Sequence, residues 1–235
     1  MALVEVPLEA PPETGVLEAT LVVPERARSV VLFVHGDVPS ACCPRDAAVA
    51  HELEHAGFAT LLVDLLTPRE ADEDVASGRH ALDLPKFARR LVGITSWLDT
   101  FPATRALRVG YFGAGTGAVA ALAAAAELSR RVEAVVSCGG RVDLVDRSTL
   151  AHVKAPVLLV EGTAEGSPRA CERDERVLGM SRAALDVLPS GRLAVVRGAT
   201  HWLGEPDAFG AVAHLALEWF THHLASPAPV EPKLA

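Results

Sequence analysis

Three places in this chain hold residues whose types and spacing could do chemistry. The first is Val109-Gly110-Tyr111-Phe112-Gly113-Ala114-Gly115-Thr116-Gly117-Ala118, an apolar run that enters a glycine-rich turn and then an alanine-rich stretch. A buried strand turning sharply into a helix displays its turn residue at the helix N-terminus, a setting suited to a nucleophile. Glycines two residues before and after it let strand and helix approach closely. Gly113 and Gly117 fill the flanking positions, and Gly115 stands in the middle. Without a side chain Gly115 cannot attack a carbonyl. It does tolerate a strained backbone that costs other residues about 1–3 kcal/mol. Thr116 is no simple substitute, because a shift of one residue points its hydroxyl elsewhere. The second place is Gly198-Ala199-Thr200-His201-Trp202, where an imidazole follows the last strand-like run and could serve as a general base. The third is Glu161-Gly162-Thr163-Ala164-Glu165, after the preceding run. Here Glu165, with Glu161 as its rival, is a carboxylate able to orient an imidazole.

The elements that must position these residues alternate. Thr20–Val23, Val30–Val34, Thr60–Val63, Leu107–Phe112, Val132–Val136, Val157–Val160 and Leu193–Val196 are short apolar runs. Most lack polar alternation, as expected of parallel strands covered on both faces. Between them, Leu84, Phe87, Leu91, Ile94 and Leu98 make a helical stripe, as do Phe209, Val212, Ala216 and Trp219. Thr116–Leu128 reads as a helix packed closely on the sheet. The predicted fold class is therefore α/β, a doubly wound, mostly parallel sheet with helices on both faces. Residues 1–225 are read as one domain, and 226–235 (SPAPVEPKLA from Ser226) as a proline-rich frayed tail. The first dozen residues are expected to fray too, and the acidic stretch Glu70–Gly78 to form a surface loop.

Composition narrows the classes. The chain has 235 residues, half of them hydrophobic, which is enough for one large core. A formal net charge of −8 argues against a general nucleic-acid or membrane-surface binder, since either needs a cationic face. Ala118–Ala126 is too short to span a bilayer. Residues 1–20 carry no basic segment followed by an apolar one, so no secretion signal is expected. The four cysteines, Cys42, Cys43, Cys138 and Cys171, form neither a disulfide framework nor a CxxC pair. They read as free thiols of a reducing, cytoplasmic setting.

Taken together, FVHG at 33–36, the SxxCPRD-like text at 40–46, AGFATLLVDLLTP at 56–68, RVGYFGAGTGA at 108–118, VVSCGGRVDL at 135–144, APVLLVEG at 155–162 and GATHW at 198–202 resemble the dienelactone-hydrolase-like branch of the α/β-hydrolase superfamily. The resemblance runs from about Leu17 to Leu224. It implies a small hydrolase of esters, lactones or related acyl compounds that uses no cofactor. His201 would be its base, Glu165 the orienting acid, and Gly115 the vacant nucleophile position. The oxyanion donors would lie near Asp37, after Gly36, and at Thr116, with Gly36, Cys138 and Trp202 lining the pocket. The sequence departs from the family's pattern at the missing nucleophile, at glutamate for aspartate, and at Asp37 in the oxyanion segment. An inward Asp37 would oppose a developing oxyanion; alternatively it caps a turn or faces water.

Other matches carry less. Gly113, Gly115 and Ala118 also fit a dinucleotide fingerprint, but Val135-Val136-Ser137-Cys138 brings no carboxylate to the end of the next strand. His51-Glu52-Leu53-Glu54-His55 matches HExxH, yet Val49, Leu53 and Ala56 claim the buried face and no third ligand is apparent, so no metal site is predicted. Cys42 and Cys43 precede a helix beginning near Pro44; either one is a displaced nucleophile, or both simply fill space.

Three functions follow. One is a repurposed enzyme using His201 on a small ester, lactone or carbonyl substrate. Another is a non-catalytic pseudohydrolase that binds a small apolar ligand or a protein partner. The last is a serine hydrolase carrying a Ser-to-Gly change. The sequence leaves the oligomeric state open.

Overall fold

The computed structural model describes residues 2–9, 16–35, 43–77, 82–164 and 168–224. Eight strands form one sheet: β1 (Ala2–Glu9), β2 (Val16–Val23), β3 (Ser29–His35), β4 (Ala59–Asp64), β5 (Arg108–Ala114), β6 (Val132–Cys138), β7 (Val157–Thr163) and β8 (Gly191–Arg197). Their order is β1-β2-β4-β3-β5-β6-β7-β8. The six strands from β4 to β8 run parallel, while β2 is antiparallel to both β1 and β4. All seven sequence-predicted strands are present, and the doubly wound, mostly parallel fold class holds.

The helices are α1 (Pro44–His55), α2 (Pro68–Ser77), α3 (Leu84–Thr100), α4 (Thr116–Glu127), α5 (Arg147–His152), α6 (Pro168–Leu185) and α7 (Pro206–Leu224). They cover the sheet in two layers. Val31 and Phe33 join the core formed with α1 and α7, through Val49, Leu53, Val212 and Phe220. Val30, Leu32 and Val34 join the opposite core, with Phe87 and Leu91 of α3 and Leu122 of α4. All seven residues of β3 are buried, which is why its sequence shows no polar alternation.

The structure corrects three expectations. Ala2–Glu9 does not fray: it pairs along its whole length with β2, from Ala2 opposite Val23 to Glu9 opposite Val16. The acidic stretch after Pro68 is helix α2, not a loop. Buried Arg90 donates to both carboxylate oxygens of Glu70, at 2.6 and 2.9 Å, and to the carbonyl of Leu65 at 2.5 Å. Charge there reflects a partnered carboxylate at a helix start. Finally, the buried face of α7 centres on Ala208, Val212, Ala216 and Phe220, with Phe209 and Trp219 only at its margin. The proposed tail at 226–235 lies outside the described residues. No helix among those described is long and apolar enough to cross a membrane.

Candidate active site

The carboxyl ends of the parallel strands converge where β5 meets α4. Gly115 alone joins the two, at φ 54° and ψ −123°, a conformation that favours glycine. The flanking glycines are required by close approach. A Cβ on Gly113 would lie 2.6 Å from the Cα of Ala118, and one on Gly117 only 2.0 Å from the carbonyl oxygen of Val34. Helix α4 thus presses on both β5 and the end of β3. Thr116 is the first helical residue, so its backbone N–H is among those left free at a helix start. Its hydroxyl is buried and has no hydrogen-bond partner among the described residues.

His201 sits in the turn between β8 and α7. That turn is fixed from several sides. Leu203 N–H donates to the carbonyl of Thr200 at 2.9 Å, and Thr200 N–H to the Glu205 carboxylate at 3.0 Å. Leu203, fully buried, holds a left-handed φ of 53°. The turn also rests on the ends of neighbouring strands where only glycine fits. A Cβ on Gly139, just after β6, would lie 2.3 Å from the carbonyl oxygen of His201, and one on Gly162, in β7, 1.9 Å from that of Thr200. From α1, Arg45 Nη1 donates to the carbonyl of Trp202 at 2.7 Å. Burial, then the charge of Arg173, lowers the His201 pKa below the ordinary imidazole value, against the opposing pull of Asp174 and Glu205. Burial thus favours the neutral imidazole, the form able to accept a proton.

Glu165, Gly36 and Asp37, predicted as orienting acid and oxyanion segment, lie outside the described residues, as does Cys42. The rival acid, Glu161, is fully buried in β7, where its carboxyl accepts a hydrogen bond from Ser181 of α6 at 2.7 Å and burial pushes its pKa up to about 7. Among the described residues, the charges that act on His201 are those of Arg173, Asp174 and Glu205, not that of Glu161. Asp174, a buried residue of α6, accepts a 2.6 Å hydrogen bond from Ala164 N–H and so ties down the end of β7. Cys138 ends β6 in full burial, its thiol pushed up to about 12. Trp202 is 54% exposed, its ring 5.0 Å from that of His201.

Beside the elbow lies a polar cluster whose parts the sequence showed only as scattered letters. Asp46 in α1 is completely buried, with Arg45 Nε 2.6 Å from Oδ1 and His35 Nε2 2.7 Å from Oδ2. Burial works against its charge, but the neighbouring His35 and Arg45 outweigh this and hold the carboxyl below its usual range. Cys43, capping α1, points its thiol at Oδ1 from 3.3 Å. Burial and then the Asp46 charge raise its pKa, so it is no activated thiolate. The one available signal was an adjacent Arg-Asp pair opening a helix that packs on an apolar sheet.

The remaining sequence matches fall away from this edge. His51 and His55 both face solvent. Glu133, at the start of β6, is paired with Arg108. A groove of about 340 Å³ between β8 and α7, lined by Leu158, Arg192, Trp219 and His222, opens at the opposite end of the strands.

A parallel sheet wound on both faces, a glycine-flanked strand-to-helix elbow and a histidine turn after the last strand together define the α/β-hydrolase fold. The chain belongs to the dienelactone hydrolase family within it. A dienelactone hydrolase from Anabaena variabilis is 44% identical, superposes with a TM-score of 0.84, and is matched over 94% of this chain and 99% of its own. Est1E from Butyrivibrio proteoclasticus, 15% identical with a TM-score of 0.73 over 94% of this chain and 99% of its own, shares the fold. Two Mycobacterium tuberculosis proteins, provisionally named phosphoribosyl transferases, are 46% identical over 210 residues, which is 89% of this chain. The chain spans only 44% of their length. No family model matches.

Proposed function

We propose that this chain is a repurposed member of its family, in which His201, oriented by Glu165, acts as a general base on a small ester, lactone or carbonyl substrate while Gly115 leaves the nucleophile position vacant. The observation that carries this reading is the elbow itself. Gly115 keeps the strained φ of 54° and ψ of −123°, and both flanking glycines keep their close contacts, yet nothing projects from the turn. A substrate atom or a water would take the place of the missing side chain. The imidazole can take a proton from that water or from a carbon next to a carbonyl. The free N–H of Thr116 can then stabilise the oxyanion or enolate that forms.

The test is Gly115→Ser beside the parent, against activated short-chain esters and lactones, read for a pre-steady-state burst. A burst in the variant alone is expected, because base and oxyanion donor would again have a nucleophile to serve. His201→Ala is expected to abolish both that burst and any activity of the parent. A burst already present in the parent would overturn the assignment of Gly115. Silence in both proteins would favour a binding role.

A further inference from the structure

We propose that His35, Cys43 and Asp46 form a binding site for a zinc-type divalent cation at the rim of the elbow. One donor atom from each residue, an imidazole nitrogen, a sulfur and a carboxylate oxygen, lies within 4.8 Å of the other two. Around a tetrahedral zinc such donors stand about 3.3–3.6 Å apart, so modest side-chain rotations would complete the set. Mixed nitrogen, sulfur and oxygen donors suit a borderline-soft ion and not calcium or magnesium.

The second observation is that two of the donors are buried and already face each other. His35 is 4% exposed and Asp46 not at all. Nε2 and Oδ2 pair with each other at 2.7 Å. A divalent cation entering here would replace this buried imidazole–carboxylate contact with two metal–ligand bonds, from the same two atoms. Arg45 supports the arrangement instead of competing with it. Its Nε occupies the other oxygen of Asp46 at 2.6 Å, so that Oδ2 faces His35, and its Nη2 stands 3.8 Å from the Cys43 sulfur. Partners of this second kind orient ligands. A dication with one thiolate and one carboxylate is electrically neutral, so the guanidinium adds no repulsion of consequence. Cys43, the half-buried member, gives the approach from solvent, and three protein ligands leave a tetrahedral ion one further position to fill.

The site touches the elbow. His35 ends β3, and a Cβ on Gly117 of α4 would meet the Val34 carbonyl and the His35 nitrogen. It is nevertheless distinct from the proposed base, and no substrate is needed to detect it.

Cobalt(II) is the probe. Added to the metal-stripped chain, it is expected to bind one equivalent, to give a thiolate-to-cobalt charge-transfer band, and to be displaced by zinc. The band should strengthen as pH rises, because the thiol must lose its proton. Cys43→Ser, a near-isosteric change at a half-buried position, should remove the band and weaken zinc binding by ~10-fold or more. Asp46→Asn should weaken zinc binding similarly, while circular dichroism and melting report whether each variant is folded. His51→Ala with His55→Ala should leave the band unchanged. Absence of a thiolate band, its survival in Cys43→Ser, or its dependence on His51 and His55 would each overturn the proposal. None of these results depends on whether His201 is a catalytic base.

Discussion

Gly115 shows how much one residue can reveal, and where it stops. The Gly-x-Gly-x-Gly spacing exposed the elbow in the sequence because close approach leaves no other residue type at Gly113 and Gly117. The structure gives those positions their distances. Gly115 answers a different need, a left-handed φ of 54°. At φ 54° a Cβ is strained, so Gly115→Ala is expected to cost about 1–3 kcal/mol in urea unfolding while the fold persists. A neutral effect would mean that the turn relaxes, and would weaken the parallel with a strained nucleophile. The turn that carries His201 was equally legible, from its place after the last strand. What holds it was not. Arg45 and Asp174 lie far from it in sequence, and only packing shows that one grips the carbonyl of Trp202 and the other the N–H of Ala164. For the same reason the titration of His201 in solution is a useful check. Its NMR midpoint is expected below about pH 6.5, the ordinary imidazole value, since burial disfavours the charged ring. A midpoint above that value would mean that Asp174 and Glu205 dominate.

Elements were legible wherever burial was symmetrical. Strands such as β3, covered on both faces, announce themselves as unbroken apolar runs, and α3 by its stripe of Phe87, Leu91, Ile94 and Leu98. Elements stabilised by pairing or by charge were missed. β1 gains its order from the ladder with β2, a partner that periodicity does not reveal. Helix α2 is anchored by Glu70 on Arg90 and Lys86, so its acidic sequence resembled a loop. The joints between elements are the sharper test, and four glycines separate steric from conformational need. At Gly162 and Gly117 a Cβ would strike backbone oxygens at 1.9 and 2.0 Å, whereas at Gly198, with φ 79°, and at Gly204 it would meet nothing within 4 Å. Gly162→Ala and Gly117→Ala are therefore expected to cost upwards of about 4 kcal/mol or prevent folding. Gly198→Ala should cost only the roughly 1–2 kcal/mol of a left-handed backbone, and Gly204→Ala close to nothing. Denaturant midpoints across the four variants would read the order directly. A mild Gly117→Ala would mean that the helix can lift from β3, and the elbow would lose its claim to rigidity.

At the scale of the whole molecule, two carboxyl groups on opposite sides of the ordinary range shape the dependence of stability on pH. Glu161 is buried against Ser181 with its pKa pushed up to about 7. Between about pH 4.5 and 7 the unfolded chain gives up this proton while the folded chain keeps it, so stability falls as pH rises through that window. Glu70 does the reverse. Burial opposes its charge, but Arg90, Thr67 and Lys86 bring its pKa down to about 2. Its contribution is complete above about pH 4.5 and is lost as pH falls toward 2, and the depressed pKa of Asp46 acts in the same sense. The two limbs meet near about pH 5, so the folded chain is expected to be most stable on the acid side of neutrality. Each limb has its own variant. Glu161→Gln keeps an acceptor for the Ser181 hydroxyl and removes the ionisation, so it should be more stable than the parent at pH 8, by on the order of 3 kcal/mol, with the advantage gone by pH 4. Glu70→Gln should flatten the acid limb and leave the neutral one intact. Melting temperature followed from pH 3 to pH 9 in the three proteins separates these outcomes. If Glu161→Gln melts in parallel with the parent at every pH, the buried carboxyl is not the group that sets the neutral-side slope, and the polar interior around β7 and α6 would have to be rebuilt around a different charge.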